Sequence, residues 1–135
     1  MKDANNKILV ASDDSSGAVE ARYVISDLGG SLGKTGGFIS RSRNKPSDYV
    51  KSEFVKGVRG NIVDFHYGGK NGKLFDNITV KDAKWLAGWL RRLSDNQIKD
   101  AFRAANYTAE EVEMLAVAVR ARINTLANLP GNSGR

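Results

Sequence analysis

The sequence predicts an α+β fold in which N-terminal β-hairpins are followed by a three-helix C-terminal region. The first 78 residues hold short runs rich in Val, Ile, Tyr and Phe between clusters of Gly, Asn, Asp and Ser, which is typical of strands joined by turns. Residues 79–129 repeat apolar residues at helical spacing behind three helix-start signals. We expect a single domain over residues 1–129, β-rich over 1–78 and helical over 79–129, followed by a flexible tail at 130–135.

The first predicted hairpin pairs residues 8–11 with residues 21–25. Residues 12–17 between them are rich in Asp, Ser and Gly, which favour turns, whereas the flanking Val, Ile and Tyr suit a pleated surface.

A second hairpin is predicted from residues 54–58 and 62–67, which flank Arg59 and Gly60. Apolar and polar residues alternate in the second of these runs, as they do in a half-buried strand. The preceding residues 38–53 have no clear period, and we expect the most mobile stretch at residues 41–48, around Pro46.

Three helices are predicted to begin after Thr79, Ser94 and Thr108. Gln97 and Glu111 stand three residues after the last two, a spacing that predicts capping boxes. We expect the last helix to stop at residues 129–131, because proline cannot continue a helix.

Each predicted helix carries one apolar stripe that we interpret as part of the core. The members are Trp85, Leu86, Trp89, Leu90 and Leu93; then Ile98, Ala101, Phe102 and Ala105; then Val112, Leu115, Val119, Ile123 and Leu126. An alternative for the two tryptophans is stacking on bases or sugars. We expect His66 and the arginines of the helices on the surface, the latter being Arg91, Arg92, Arg103, Arg120 and Arg122.

Composition excludes several classes of protein. The 135 residues are 41% hydrophobic and contain no cysteine and one histidine, so disulfide scaffolds, thiolate zinc sites and His-rich metal centres are excluded. No apolar run reaches the ~20 residues that a membrane span needs, and no signal-peptide core follows Met1. We expect a cytoplasmic protein with no membrane span.

The charge is unevenly distributed. The formal net charge is +6, and residues 34–59 hold seven basic residues against two acidic ones. This excess allows a basic interaction module that binds nucleic acid or an acidic protein through residues 34–59. No recognised nucleic-acid motif accompanies the charge.

A glycine-rich stretch follows the first hairpin. Five of the nine residues 29–37 are glycine, which predicts a loop with access to positive φ. Gly33-Lys34-Thr35 resembles the end of a phosphate-binding P-loop, but only three residues separate Gly29 from Gly33, and glycines follow where the motif needs a helix. We expect a surface loop whose amides, beside Lys34, can meet a phosphate.

Two polar residues flank the first hairpin at the end away from its turn. Asn5 precedes the first strand and Asp27 follows the second, so the hairpin is expected to bring them together. Amide and carboxylate oxygens are ligands suited to Mg²⁺ on the phosphates of a nucleotide. The alternative is that both side chains end the strands by binding the backbone.

A resemblance to a known family supports the first interpretation. Residues 2–9 and 22–36, with residues 54–58 and 78–105, resemble the C-terminal part of bacterial kinase-like proteins of the HipA-type and phosphoinositide-kinase-like fold. The resemblance implies that Asn5 is the metal-binding Asn and Asp27 the Asp of the Asp-x-Gly metal site, with Gly29 permitting the turn. In the glycine-rich loop, Gly29, Gly33 and Lys34 are the candidate residues for binding the nucleotide. The catalytic Asp of that pattern stands five residues before the Asn, which would precede Met1, so no catalytic residue is assigned.

The resemblance therefore implies an incomplete, non-catalytic C-lobe with a remnant site for Mg²⁺ and ATP. Phosphotransfer would require an upstream kinase-like segment that supplies the catalytic Asp and the phosphate-binding lysine. The partners implied are that segment or further copies of the chain, because apolar residues such as Ile8 and Val10 would otherwise be exposed.

Overall fold

The chain divides into two units, residues 1–31 and residues 32–135. The computed structural model describes residues 7–13, 19–25, 32, 44–67 and 72–131. The predicted α+β fold is confirmed, because these residues form two antiparallel hairpins and four α-helices. The single domain over residues 1–129 stays a prediction.

The first unit contains one antiparallel hairpin. Strand β1 (Lys7–Asp13) pairs with β2 (Val19–Ile25) in an unbroken register that runs from the pair Lys7 and Ile25 to the pair Asp13 and Val19. The predicted first hairpin is confirmed, and its ladder extends further toward the turn than the sequence pattern indicates.

The second unit opens with a short helix that the sequence pattern misses. Helix α1 (Pro46–Lys51) begins at a buried proline, where residues 41–48 predict a mobile stretch. The mobility of this stretch stays a prediction, and from residue 46 onward the stretch is helical. Proline is well suited to the first helical position, since its fixed φ matches the helix and its missing N–H would have no partner there.

The second hairpin lies in the same unit. Strand β3 (Val55–Arg59) pairs with β4 (Ile62–Phe65), and Gly60 at the turn has a φ of +61°, which only glycine adopts without cost. The prediction is confirmed, although β4 ends before His66. A short 3₁₀-helix (Gly72–Phe75) follows.

Three helices complete the second unit. They are α2 (Val80–Leu90), α3 (Asp95–Ala104) and α4 (Ala109–Ala127), capped by Thr79, Ser94 and Thr108 as predicted. Each N-cap is a capping box, including that of Thr79 with Asp82, which the spacing rule for Glu or Gln does not predict. The predicted stop is confirmed, because α4 ends at Ala127, before Pro130.

The capping box of α2 also holds a charge. The Thr79 hydroxyl lies 2.6 Å and the Thr79 amide 3.1 Å from the same Asp82 carboxylate oxygen. Hydrogen bonds from the Thr79 side chain, and then from its backbone N–H, lower the pKa of Asp82 below its ordinary value. The Asp82 carboxylate of this capping box is therefore protonated only under strongly acidic conditions.

The main core forms where β4 meets α2 and α4. Backbone hydrogen bonds from Val63 to Ile78 and from Val80 to Asn61 fix the start of α2 beside β4. The buried cluster is Val63, Val80, Ala83, Ala87, Leu126 and Leu129. The two alanines let α2 approach the rest of this core closely.

A second cluster joins α3 to α4 through Ile98, Ala116 and Ile123. The turn between these helices is a Schellman motif with Asn106 at φ +64°. The Asn106 amide donates to the Arg103 carbonyl, and the Tyr107 amide donates to that of Phe102. The Phe102 and Tyr107 rings pack 5.9 Å apart, which provides the apolar contact of the motif.

Of the stripe predicted on α2, only Leu90 packs against the core, at the second cluster, and the prediction is wrong for the other four residues. Trp85 and Trp89 are 66% and 51% exposed, and Leu86 and Leu93 are also exposed. The buried face carries Ala83 and Ala87 instead. A helix with two apolar faces can bury either, and here the face of small residues is the one against β4 and α4.

Candidate functional site

The first hairpin aligns the two strand ends that border the predicted metal site. Lys7 and Ile25 are directly opposed, and the register continues without a bulge through seven pairs. Asn5 and Asp27 each stand two residues beyond this pair in sequence. At about 3.4 Å per residue, the pair Asp13 and Val19 lies roughly 20 Å away at the other end of the ribbon.

All five predicted site residues fall outside the residues that the structure describes. These are Asn5 and Asp27 for the metal, and Gly29, Gly33 and Lys34 for the nucleotide. Their geometry therefore stays a prediction. In the described ranges, no group of three or more His, Asp or Glu side chains could hold a metal ion.

One residue of the glycine-rich stretch is described. Leu32 has a φ of +57°, so the predicted access to positive φ is confirmed at this position. The Leu32 carbonyl accepts a hydrogen bond from the Lys45 amide at 2.9 Å. A bulky residue in this conformation costs about 1–3 kcal/mol, so the surrounding contacts hold this backbone in place.

A cleft of about 540 Å³ lies among α1, the second hairpin and α4. Aromatic rings form much of its lining: Phe54 and Phe65 are 5.5 Å apart, Phe65 and Phe75 5.7 Å, and Tyr67 and Phe75 4.6 Å. Its volume falls in the range of small-molecule sites. The sequence analysis did not predict this cleft, and the two-residue spacing of Phe65 and Tyr67 is the signal that could have indicated one wall of it.

Ionisable groups border the same cleft. Lys51, Glu53, His66 and Arg122 line it, and the His66 Nδ1 atom lies 3.1 Å from a Glu53 carboxylate oxygen. His66 is exposed, as predicted. Lys51 is also exposed and has no ion pair among the described residues.

Arg122 crosses from α4 to α1, contrary to its prediction as a solvated residue. Its Nη2 atom donates to the Tyr49 carbonyl and to the Ser52 hydroxyl, each at 2.8 Å. The guanidinium lies 3.7 Å from the centre of the Tyr49 ring and 5.2 Å from that of Phe54. Arg122 is therefore a half-buried structural residue that forms one wall of the cleft.

The neighbouring Arg120 is half-buried too. It donates to the Asp95 carboxylate at 2.8 Å and to the Leu93 carbonyl at 2.5 Å, which links α4 to the start of α3. Helical spacing alone does not distinguish such arginines from solvated ones, because their partners are distant in sequence.

The basic stretch is partly neutralised where it is described. Lys45 lies 3.5 Å from Asp48, and Arg59 lies 3.6 Å from Asp64. Lys51 and Lys56 are exposed, and neither forms an ion pair with a described residue. Lys34, Arg41 and Arg43 lie outside the described residues.

The expected resemblance to kinase-like proteins stays a prediction after comparison with known proteins. No protein-family model, curated protein or solved structure gave a significant match. Within the described ranges, none of the helices has the length and apolar character needed to cross a membrane.

Proposed function

We propose that the chain is a kinase-like C-lobe that binds Mg²⁺-ATP weakly through Asn5 and Asp27 and has no phosphotransfer activity alone. The observation that carries the proposal is the register of β1 and β2, which opposes Lys7 to Ile25. Asn5 stands two residues before Lys7, and Asp27 stands two residues after Ile25. A continued register would make them direct neighbours on one face.

The chemistry of the two side chains suits the proposed ligand. Mg²⁺ prefers oxygen ligands and retains several waters, so one carboxylate and one amide oxygen, with the nucleotide phosphates, are enough to hold it. Phosphotransfer also needs a base that orients the nucleophile and a lysine that neutralises the phosphates. Neither role is assigned in this chain, so binding without turnover is the expected behaviour.

The proposed partner follows from the same reasoning. A kinase-like segment that supplies the catalytic Asp and the phosphate-binding lysine would complete the site, and the cytoplasm is the proposed location. In that complex, Asn5 and Asp27 would keep their role as metal ligands.

Titration with Mg²⁺-ATP tests the binding proposal. Ligand at ten times its dissociation constant adds about 1.4 kcal/mol to the stability of the folded state. We expect shifts of the Lys7 and Ile25 amide resonances, a higher melting temperature, and loss of both in Asp27→Ala. Asp13→Ala, which changes an acidic residue at the other end of the same hairpin, is the matched control and should bind normally.

Two results would contradict the proposal. One is the absence of any shift near Lys7 and Ile25 at saturating Mg²⁺-ATP. The other is equal loss of binding in Asp27→Ala and Asp13→Ala, which would indicate a general charge effect rather than a site.

A second proposal is a basic interaction module formed by residues 34–59. The exposed Lys51 and Lys56, which have no ion pair among the described residues, favour it. Their charges are available to phosphates or to acidic side chains. An acidic protein or a nucleic acid would be the partner.

Binding of a labelled single-stranded oligonucleotide, followed by anisotropy, tests this module. Affinity should fall steeply as salt rises, and replacing Arg41, Arg43 and Lys45 with glutamine should abolish it. Replacing Lys81 and Lys84, which lie on α2, with glutamine is the control. Binding that is insensitive to salt, or equally weakened by both sets, would contradict the module.

A further inference from the structure

The exposed face of α2 carries both tryptophans of the chain. Residues two apart on an α-helix point about 200° apart. Because Ala83 and Ala87 are 3% and 0% exposed, Trp85 and Trp89 lie on the side of the helix opposite the core. The rings are 6.3 Å apart in an edge-on arrangement.

The exposed apolar area of this face is comparable to the largest apolar patch of a typical monomer, which is often functional. A tryptophan presents up to about 250 Å², so exposures of 66% and 51% leave roughly 300 Å² of indole surface in water. Leu86 on the same helix and Leu93, three residues after its end, are also exposed. An apolar patch of this size commonly marks an interaction site.

The exposed area matches what one copy contributes to a dimer. A standard interface buries about 800 Å² on each partner, of which somewhat more than half is apolar. The two indoles supply most of that apolar share, and the leucines add to it. Gly88 lies between the tryptophans in sequence and is exposed, with no atom within 4 Å of a Cβ built on it, so a second helix can approach closely.

The charges at the edge of the face are of both signs. Lys81 and Asp82 stand at its N-terminal end, and the Arg92 guanidinium lies 4.1 Å from the centre of the Trp89 ring at the other end. In an antiparallel pair of α2 helices, the end that carries Asp82 on one copy would lie beside the end that carries Arg92 on the other, so that opposite charges meet across a two-fold axis.

We propose that the face formed by Trp85, Leu86, Trp89 and Leu93 is a self-association surface that a second copy of this chain covers. The proposal is independent of the nucleotide site, because it rests on α2 and the turn that follows it. It also differs from the self-association expected through Ile8 and Val10, whose side chains lie outside what the structure describes.

Tryptophan fluorescence reports directly on whether this surface is covered, because both tryptophans lie in it. On concentration from the low micromolar to the high micromolar range, we expect the emission maximum to move to shorter wavelength. Sedimentation velocity over the same range should show conversion from monomer to dimer. Raising the salt should leave the dimer intact, since apolar burial holds it.

Point variants distinguish association through this surface from nonspecific association. Trp85→Ser and Trp89→Ser each leave one reporter, and each should weaken the dimer at least tenfold, as expected for a tryptophan at the centre of an interface. Leu74→Ser and Val117→Ser are the matched controls, because these residues are 75% and 67% exposed outside the face. Circular dichroism should show all four folded.

Three results would overturn the proposal. The first is a monomer with water-exposed tryptophan emission at every concentration. The second is equal weakening of the dimer by the face variants and the controls. The third is a blue shift that appears only with vesicles of phosphatidylcholine and phosphatidylglycerol, which would identify a lipid surface as the occupant.

Discussion

Leu115→Ala is expected to lower the free energy of unfolding by about 3 kcal/mol. Leu115 lies on α4 and is completely buried, so truncation removes apolar contacts and leaves a cavity. Alanine is at least as good a helix former as leucine, so the loss reports packing rather than helix propensity. Urea denaturation followed by circular dichroism measures it.

Val117→Ala is the matched control for this prediction. Val117 stands two residues later on the same helix and is 67% exposed, so its truncation should change the stability by less than about 0.5 kcal/mol. Equal effects of the two variants would contradict the assignment of the buried face of α4.

Arg122→Ala is expected to cost about 2–3 kcal/mol, because hydrogen bonds from a charged group and the packing of its side chain are lost together. The guanidinium holds the Tyr49 carbonyl and the Ser52 hydroxyl, and it stacks on the Tyr49 ring. Its removal frees α1 from α4. Urea denaturation should show the loss, and amide exchange in α1 should accelerate.

The Arg122→Lys variant separates the contribution of the planar guanidinium to stability from the contribution of its charge. Lysine keeps the charge but has neither the planar fork nor the stacking surface, so it should recover less than half of the lost stability. Arg91→Ala, at an exposed position at the end of α2, is the control and should be nearly neutral. Full recovery by lysine would contradict the role given to the guanidinium plane.

The local features of the fold could be predicted from the sequence. Thr79, Ser94 and Thr108 cap their helices as the sequence predicts, because capping depends on residues only three positions apart. Residues 8–11 and 21–25 lie within the first hairpin, and residues 54–58 overlap the second. Turn residues between β-branched runs are enough to predict hairpins.

The features that depend on contacts between residues distant in sequence could not be predicted from the sequence. Trp85 and Trp89 predict a buried stripe, but the choice between the two faces of α2 depends on β4 and α4, which favour Ala83 and Ala87. Arg122 looks like a solvated residue until α1 is placed beside it. Helix α1 itself is short, and only Pro46 marks its start.

The candidate metal site stays a prediction in both its residues and its geometry, because Asn5 and Asp27 lie outside the described residues. Asn5 and Asp27 flank the strands that the structure pairs, so the structure supports the proximity of the two strand ends through Lys7 and Ile25. The aromatic cleft was not predicted, because the rings of Phe54, Phe65 and Phe75 come together only when β3, β4 and the 3₁₀-helix are assembled.

Paramagnetic Mn²⁺ in place of Mg²⁺ tests the proposed metal site most directly. With Mn²⁺-ATP, the amide resonances of Lys7 and Ile25 should broaden first, those of Asp13 and Val19 should stay sharp, and Asp27→Ala should remove the effect. Broadening that is absent from the hairpin, or as strong at Asp13 and Val19 as at Lys7 and Ile25, would contradict a metal held by Asn5 and Asp27.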